Sequence, residues 1–290
     1  MTARTVEFGL FLIPEADRYP DLLRQVRYAD DAGLDLIGIQ DHPYQRRFAD
    51  TWTLISALAV QTTRLRFFPD VANLPLRNPA VLAKAAATLD LITGGRVELG
   101  LGAGAFWEAI EAMGAPRLTK GQAVQALEEA IAVLRAMWSG ERSVTAGGQF
   151  HAVAGVHPGP APAHDIGIWL GSGGPKSLAL TGRSADGWVP SSSYFPPARL
   201  AEAGRIIDDA AAEAGRDPAA VRRVYNLSGS IGTGSEFLNG PVERWVDDLT
   251  TLHREHRVDG FVFWPSEGDI DVQVHQFAEE VVPQVRSALG

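Results

Sequence analysis

Apolar residues in this chain follow two rhythms by turns: short continuous runs, then longer stretches with a period near 3.6. The interval from Leu65 to Gly104 shows one full cycle. The run Leu65–Phe68 stops at Pro69-Asp70. A helix is predicted from Asn78-Pro79, an N-cap followed by proline at the first helical position. Val81, Leu82, Ala85, Ala86, Leu89 and Ile92 keep helical spacing, and Gly94-Gly95 ends the helix. Val97–Leu101 then runs as a strand into Gly102-Ala103-Gly104. This is a βαβ unit.

The same cycle repeats along the chain. Strand 1 is expected at Val6–Ile13, with a helix at Pro20–Ala32. Strand 2 is Leu36–Gln40 with helix Trp52–Gln61, and strands 3 and 4 are the pair just described. Helix Gly121–Met137 follows, with Leu127, Ile131, Leu134 and Trp138 on one stripe. Ser143–Ala152 reads as a hairpin around Gly147-Gly148. Strand 5 is Ile168–Leu170 with helix Pro175–Gly182, and strand 6 is Gly187–Pro190 with helix Ala198–Ala214. Strand 7 is Val224–Ser230 with helix Pro241–His256, and strand 8 is Gly260–Trp264 with helix Asp271–Ala288.

Strands alternating with helices predict an α/β protein with a parallel sheet, and eight such units predict closure as a (β/α)₈, or TIM, barrel, one domain over residues 1–290 with loop insertions at the C-terminal face. A doubly wound nucleotide-binding sheet would carry a G-x-G-x-x-G after strand 1; here strand 1 ends in Ile13-Pro14-Glu15. Two irregular stretches, His151–Ile166 and Gly229–Gly240, read as candidate lids.

Composition narrows the chemistry. With 290 residues, 46% hydrophobic and 21% charged, the chain reads as an ordinary globular protein. The net charge of −9 and the lack of a basic stripe argue against nucleic acid. No cysteine is present, which removes disulfides, thiolate metal sites and a cysteine nucleophile. No signal pattern or membrane-length apolar run is evident, so a cytoplasmic location is expected. The seven histidines form neither H-x-H after strand 1 nor H-E-x-x-H, and no G-x-S-x-G occurs. His253 and His256 read as a solvated helix face.

Chemistry in parallel barrels gathers at the C-terminal strand ends. Strand 2 ends in Gln40-Asp41-His42-Pro43, and His42 is either a proton-transfer group or a loop cap. Asp70, after strand 3, is either a ligand to a hydroxyl or, more simply, a loop cap. Gly102 and Gly104 either admit a ligand close to the backbone or simply turn. Strand 5 ends in Gly171-Ser172-Gly173-Gly174-Pro175-Lys176, which opens directly into a helix and forms the best anion-site candidate. Pro190–Ser193 and Trp264-Pro265 could line the mouth and Trp107 could wall an apolar pocket, although tryptophan is more often core and these are read as packing residues.

Together these segments resemble the luciferase-like flavin- and F420-dependent oxidoreductases, the family of bacterial luciferase. The likeness rests on FGLFLIP in strand 1, QDH after strand 2, NPAVLAKAAATLDLITGGRVELGLGAG, and IWLGSGGPKSLALTGRSADGW. It implies a TIM barrel that binds reduced FMN or coenzyme F420 at its C-terminal mouth. It makes His42 an active-site histidine beside the ring, and puts Asp70-Val71 in a bulge behind the ring, often a non-prolyl cis peptide in this family. Gly102-Ala103-Gly104 becomes a wall of the cofactor site and Gly171–Lys176 the cofactor-phosphate loop.

Two positions depart from the family. Bacterial luciferase carries a phosphate-binding arginine where this chain has Ala103. The F420-dependent glucose-6-phosphate dehydrogenases carry a glutamate where it has Ala105. With the compact length, the first tilts the expectation toward F420. The expected function is hydride transfer between F420 and a small organic substrate, without nucleic-acid or membrane partners, in a homodimer. The alternatives are an FMNH₂-dependent monooxygenase using O₂ and a flavin-binding protein without turnover.

Overall fold

The computed structural model describes residues 4–290. Eight parallel strands form a ring: β1 (Glu7–Leu12), β2 (Leu36–Ile39), β3 (Arg66–Pro69, resuming at Ala72–Asn73), β4 (Leu99–Gly102), β5 (Ile168–Leu170), β6 (Gly187–Trp188), β7 (Arg222–Ile231) and β8 (Gly260–Pro265). β1 pairs with β2 on one side and β8 on the other. The ring closes at β3, which is broken in the middle. Its first half pairs with β2 and its second half with β4, through Ala72↔Leu101 and Asn73↔Gly102. Phe67 also bridges Val97. The sequence reading ended strand 3 at Phe68; the chain in fact returns to the sheet beyond Asp70-Val71.

The helices form the outer layer: α1 (Tyr19–Asp31), α2 (Thr51–Ala59), α3 (Pro79–Thr93), α4 (Lys120–Trp138), α5 (Pro175–Ser184), α6 (Pro197–Glu213) and α7 (Val242–His256). The local signals operate as read. The Asn78 side chain accepts from the N–H groups of Ala80 and Val81, and Gly94 caps α3 at φ 70°. The last helix is the exception. It runs as Ile270–Gln276, a π turn at Phe277–Val281, then Val282–Leu289. Pro283 lacks an N–H and its ring opposes the carbonyl four residues back, so a continuous α ladder cannot pass through it. A short helix, Trp107–Ala112, lies in what the sequence reads as loop.

Strand alternation sorts the side chains into two cores. Residues such as Phe8, Leu10, Ile37 and Ile39 face the helices. Phe11, Leu36, Phe68, Trp169, Val189, Val224 and Val262 fill the barrel, with Ile13, Val71 and Trp264 packed above them. The N-terminal end of the barrel is plugged by charge. Arg66 pairs with Glu7 and Glu98, and Arg222 with Glu7 (2.7 Å) and Asp259 (3.3 Å). A cavity of about 620 Å³ opens beside this plug. Its arginines are already paired, Arg4 and Arg222 with Asp259 and Arg135 with Asp186, so they offer no spare charge to a ligand.

The stretch 151–166 belongs to this end as well. It carries the second strand of a hairpin, Val144–Gly147 with Ala152–Val156, and then enters β5 from below. It is therefore not a lid over the C-terminal mouth: connections that precede a barrel strand lie on the N-terminal face. His164 fastens it. Glu98, 3.7 Å from Nε2, and Asp90, 2.9 Å from Nδ1, hold the imidazole protonated up to about 9, against the opposing effect of burial. A histidine raised from 6.5 contributes stability fully below that pH and loses it as pH rises through 9. Denaturant titrations should show wild type losing about 1–2 kcal/mol between pH 6.5 and 9.5 that His164→Gln does not lose, allowing for partial solvent screening. Parallel curves for the two proteins would sink this assignment.

Candidate functional site

The C-terminal mouth is built around the break in β3. The Asp70-Val71 peptide is cis, as the family resemblance led us to expect. Val71 rises between two strands that carry glycine where it passes. A Cβ on Gly102 would lie 2.8 Å from Val71 Cγ2, and one on Gly171 would lie 2.9 Å from the same atom. On Gly100 it would meet the Pro69 carbonyl at 2.1 Å. These glycines are thus space for the bulge, which then presents Val71, half-buried, at the mouth. Gly104, at φ 94°, turns the chain away after β4; a Cβ there would strike Pro75 and Trp107. Ala103 points the other way and packs on the shell between barrel and helices. Phe11 and Trp264 stack at 4.9 Å on the opposite strands.

Asp70 does not cap its loop, which was the simpler reading. It is buried inside the barrel, where Oδ1 accepts from Asn226 Nδ2 at 3.0 Å. Asn226, in β7, also donates to the Ser191 hydroxyl beyond β6 at 3.3 Å. Burial pushes the Asp70 carboxyl up to about 7, with the Asn226 amide pulling in the opposite sense. Asn226 was missed in the sequence. Its signal was present: Asn226, Ser228 and Ser230 alternate along the second half of the strand, on the same face as the inward Val224.

His42 stands half-buried beyond β2, with Nδ1 hydrogen-bonded to the Tyr44 hydroxyl. Phe106, beyond β4, meets both rings edge-on, at 5.4 Å from His42 and 5.9 Å from Tyr44. Desolvation lowers the His42 pKa below its ordinary 6.5, and the Asp41 carboxylate only partly opposes this. Tyr44 is pushed up to about 12 by burial and by Asp41, so its phenol keeps its proton. Neither Tyr44 nor Phe106 was singled out from the sequence; their meeting with His42 joins loops from two different strands.

The segment 171–176 passes from β5 into the N-terminus of α5. Gly171, Gly173, Gly174, Pro175 and Lys176 are exposed. Ser172 is not: its hydroxyl accepts from Thr181 at 2.9 Å beneath the loop, and its carbonyl accepts from Trp188 Nε1. Ser172 therefore shapes the loop from below, and the groups left facing outward are main-chain N–H groups and Lys176. The residues fit a flat ring with an anionic tail: an apolar bulge between glycines, a neutral histidine at one edge, and a helix N-terminus beyond β5. His253 and His256 are half-buried rather than solvated, and His253 Nδ1 bonds the Val258 carbonyl. They lie on α7, outside the mouth.

Comparison with known proteins bears on the family and the fold. A family model described as luciferase-like monooxygenase matches residues 6–264. The 5,10-methylenetetrahydromethanopterin reductase of Methanolobus tindarius is 32% identical over 211 residues, which are 73% of this chain and 61% of the reductase. The F420-dependent glucose-6-phosphate dehydrogenase of Nocardia farcinica is 27% identical over 244 residues, 79% of this chain and 70% of that one. The chain thus spans under two thirds of the reductase's length. Among solved structures, an F420-dependent secondary alcohol dehydrogenase in complex with an F420–acetone adduct superposes with a TM-score of 0.86. It covers 97% of this chain and 99% of its own, at 20% identity, a likeness of fold. Among the described residues no helix is long and apolar enough to cross a membrane, and no cluster of side chains suits a metal ion.

Proposed function

The chain belongs to the luciferase-like monooxygenase family, and from that premise we propose that it is an F420-dependent oxidoreductase acting on a small organic substrate. The observation that carries this reading is the seat of Val71 between Gly102 and Gly171, which forms an apolar backstop open to the mouth. When bound, the deazaflavin gives a hydride to the substrate or takes one from it. Gly102 and Gly104, with the main chain of Ala103, whose side chain packs away from the mouth, would wall the ring on one side, and the Gly171–Lys176 loop would meet the cofactor's phosphate.

His42 works as a neutral imidazole. Tyr44 keeps its phenolic proton and donates to Nδ1, leaving Nε2 to carry the imidazole hydrogen. That nitrogen would donate a hydrogen bond to the substrate oxygen and so stabilise the charge that develops there. Phe106, itself exposed, lies edge-on over one side of the pair. F420 is favoured over FMN by the F420-dependent relative and by Ala103, where a luciferase places its phosphate-binding arginine. Ala105, in place of the dehydrogenase glutamate, argues for a substrate other than a sugar phosphate.

Fluorescence titration with F420 and, separately, with FMN tests this. F420 should bind at micromolar concentration and FMN far more weakly. FMN binding without F420 binding would overturn the assignment and turn it toward the oxygen-using alternative, for which reduced FMN should drive oxygen uptake. If neither binds, the cofactor site is misassigned.

A further inference from the structure

Two buried oxygen atoms in the barrel lack partners, and they belong to side chains that already touch. Asp70 is 8% exposed and Asn226 is 3% exposed. Asp70 Oδ1 accepts from Asn226 Nδ2, while Asp70 Oδ2 and Asn226 Oδ1 are both unsatisfied. Drawn with an ionised carboxylate, both are acceptors facing a site without a donor. Buried polar atoms are rarely left in that state.

A carboxyl and a carboxamide that share one hydrogen bond can share a second when the carboxyl bears a proton. Its O–H then donates to the amide carbonyl and closes an eight-membered ring. One proton satisfies both atoms at once. The surroundings agree. Gly38 of β2 leaves the room that Oδ2 occupies, since a Cβ there would be 2.8 Å away. Gly38 of β2, Phe68 of β3 and Asn226 of β7 lie about the carboxyl, Ser191 lies against the Asn226 amide, and no neighbouring charge acts on the acid. Burial, rather than any neighbouring charge, raises the carboxyl to about 7.

We propose that Asp70 keeps its proton in the neutral pH range and closes a cyclic acid–amide pair with Asn226, which pins the bulge across the barrel to β7 and leaves the floor of the pocket uncharged. Asp70 is thus a positioning residue: it acts through Val71 and touches no substrate. That the floor lies beneath a cofactor rests on the function proposed above; the proton itself does not. The consequence for that function is electrostatic. Reduced deazaflavins and flavins are anionic near neutral pH, and a buried carboxylate below the ring would repel them. A neutral acid does not.

Infrared pH titration of the full chain without cofactor, carrying ¹³C-labelled aspartate, reads the proton directly. One aspartic C=O band of the protonated acid should persist at about pH 6, where ordinary aspartates are ionised, and Asp70→Asn should remove it. The amide of D70N donates to the same Asn226 oxygen, so the variant should fold. Because the native value lies above 3.8, wild-type stability should fall as pH rises from 3.8 to about 7. D70N should lack that fall and exceed wild type at pH 8. No persistent band in labelled wild type, or a band that survives in D70N, overturns the proposal, and the wild-type measurement decides even if the variant misfolds. The second arm is affinity for reduced F420. It should drop about tenfold or more between pH 6 and 8.5 in wild type and stay flat in D70N. If the band behaves as expected and both affinities stay flat, the acid–amide pair stands and the role as cofactor floor is overturned.

Discussion

His42→Ala should lower turnover by about 10²–10⁴-fold while leaving cofactor affinity within a few-fold. The separation follows from where His42 sits. The bulge at Val71 and the loop at 171–176 make the pocket's back and far end, and neither contacts His42 through any hydrogen bond or ring packing observed here. His42 instead offers one nitrogen to Tyr44 and keeps the other for the reaction. Its lowered pKa sets the pH dependence. A histidine that must be neutral or must donate from Nε2 loses its fixed tautomer when protonated, so the acid limb of kcat should fall below pH 6.5. His42→Gln separates the two roles of the side chain. Glutamine can still donate a hydrogen bond, so a variant that keeps most of its turnover assigns hydrogen-bond donation to His42, and one that stays slow shows that the imidazole ring itself is needed. Steady-state kinetics with F420 would show this, and unchanged turnover in His42→Ala would sink the role. Tyr44→Phe should cost less, roughly tenfold, because it frees the tautomer without removing the imidazole.

The sequence exposes the strands and loop positions of this site because the signals there are local. Most barrel strands are short apolar runs bracketed by glycine, proline or aspartate, and Ile168–Leu170 is found to the residue. Glycines at 102, 104 and 171 mark the mouth because the backbone itself needs them. What the sequence hides is contact between distant segments. Asp70 and Asn226 are 156 positions apart, and only closure of the barrel brings them together. The π turn near Pro283 is the converse case: the proline was visible, but the chain's choice to continue rather than stop depends on burial of Phe277 and Val281 on either side. Ser172 shows a further limit. A serine in a glycine loop looks like an anion ligand until Thr181, nearly two turns into the helix, claims its hydroxyl.

Arg77→Ala should destabilise the protein by about 3–5 kcal/mol, the largest loss expected from any single side-chain truncation near the site. Asp41 is the reason. Its side chain is 1% exposed and accepts three hydrogen bonds: from the Asn73 N–H at 2.8 Å, and from Arg77 Nε and Nη2 at 2.7 Å each. The paired carboxylates of Asp41 and Asp50 hold the guanidinium even more firmly protonated than usual, despite its burial. Removing it leaves a buried carboxylate with a single donor. The damage would also be functional, because Asp41 precedes His42 and Asn73 follows the bulge. The Asp41–Arg77 pair is therefore the strut between the loop that carries the histidine and the strand that carries Val71. Arg77→Lys should fall between, since an ammonium cannot make the two-pronged contact. The double variant Asp41→Asn with Arg77→Leu should recover much of the loss, because it removes the unpaired charge along with its partner. Urea denaturation of wild type, Asp41→Asn, Arg77→Leu and the double variant gives the cycle, with Arg77→Ala and Arg77→Lys measured beside it. A loss below about 1 kcal/mol in Arg77→Ala, or no recovery in the double variant, would show that the strut does not hold the loop.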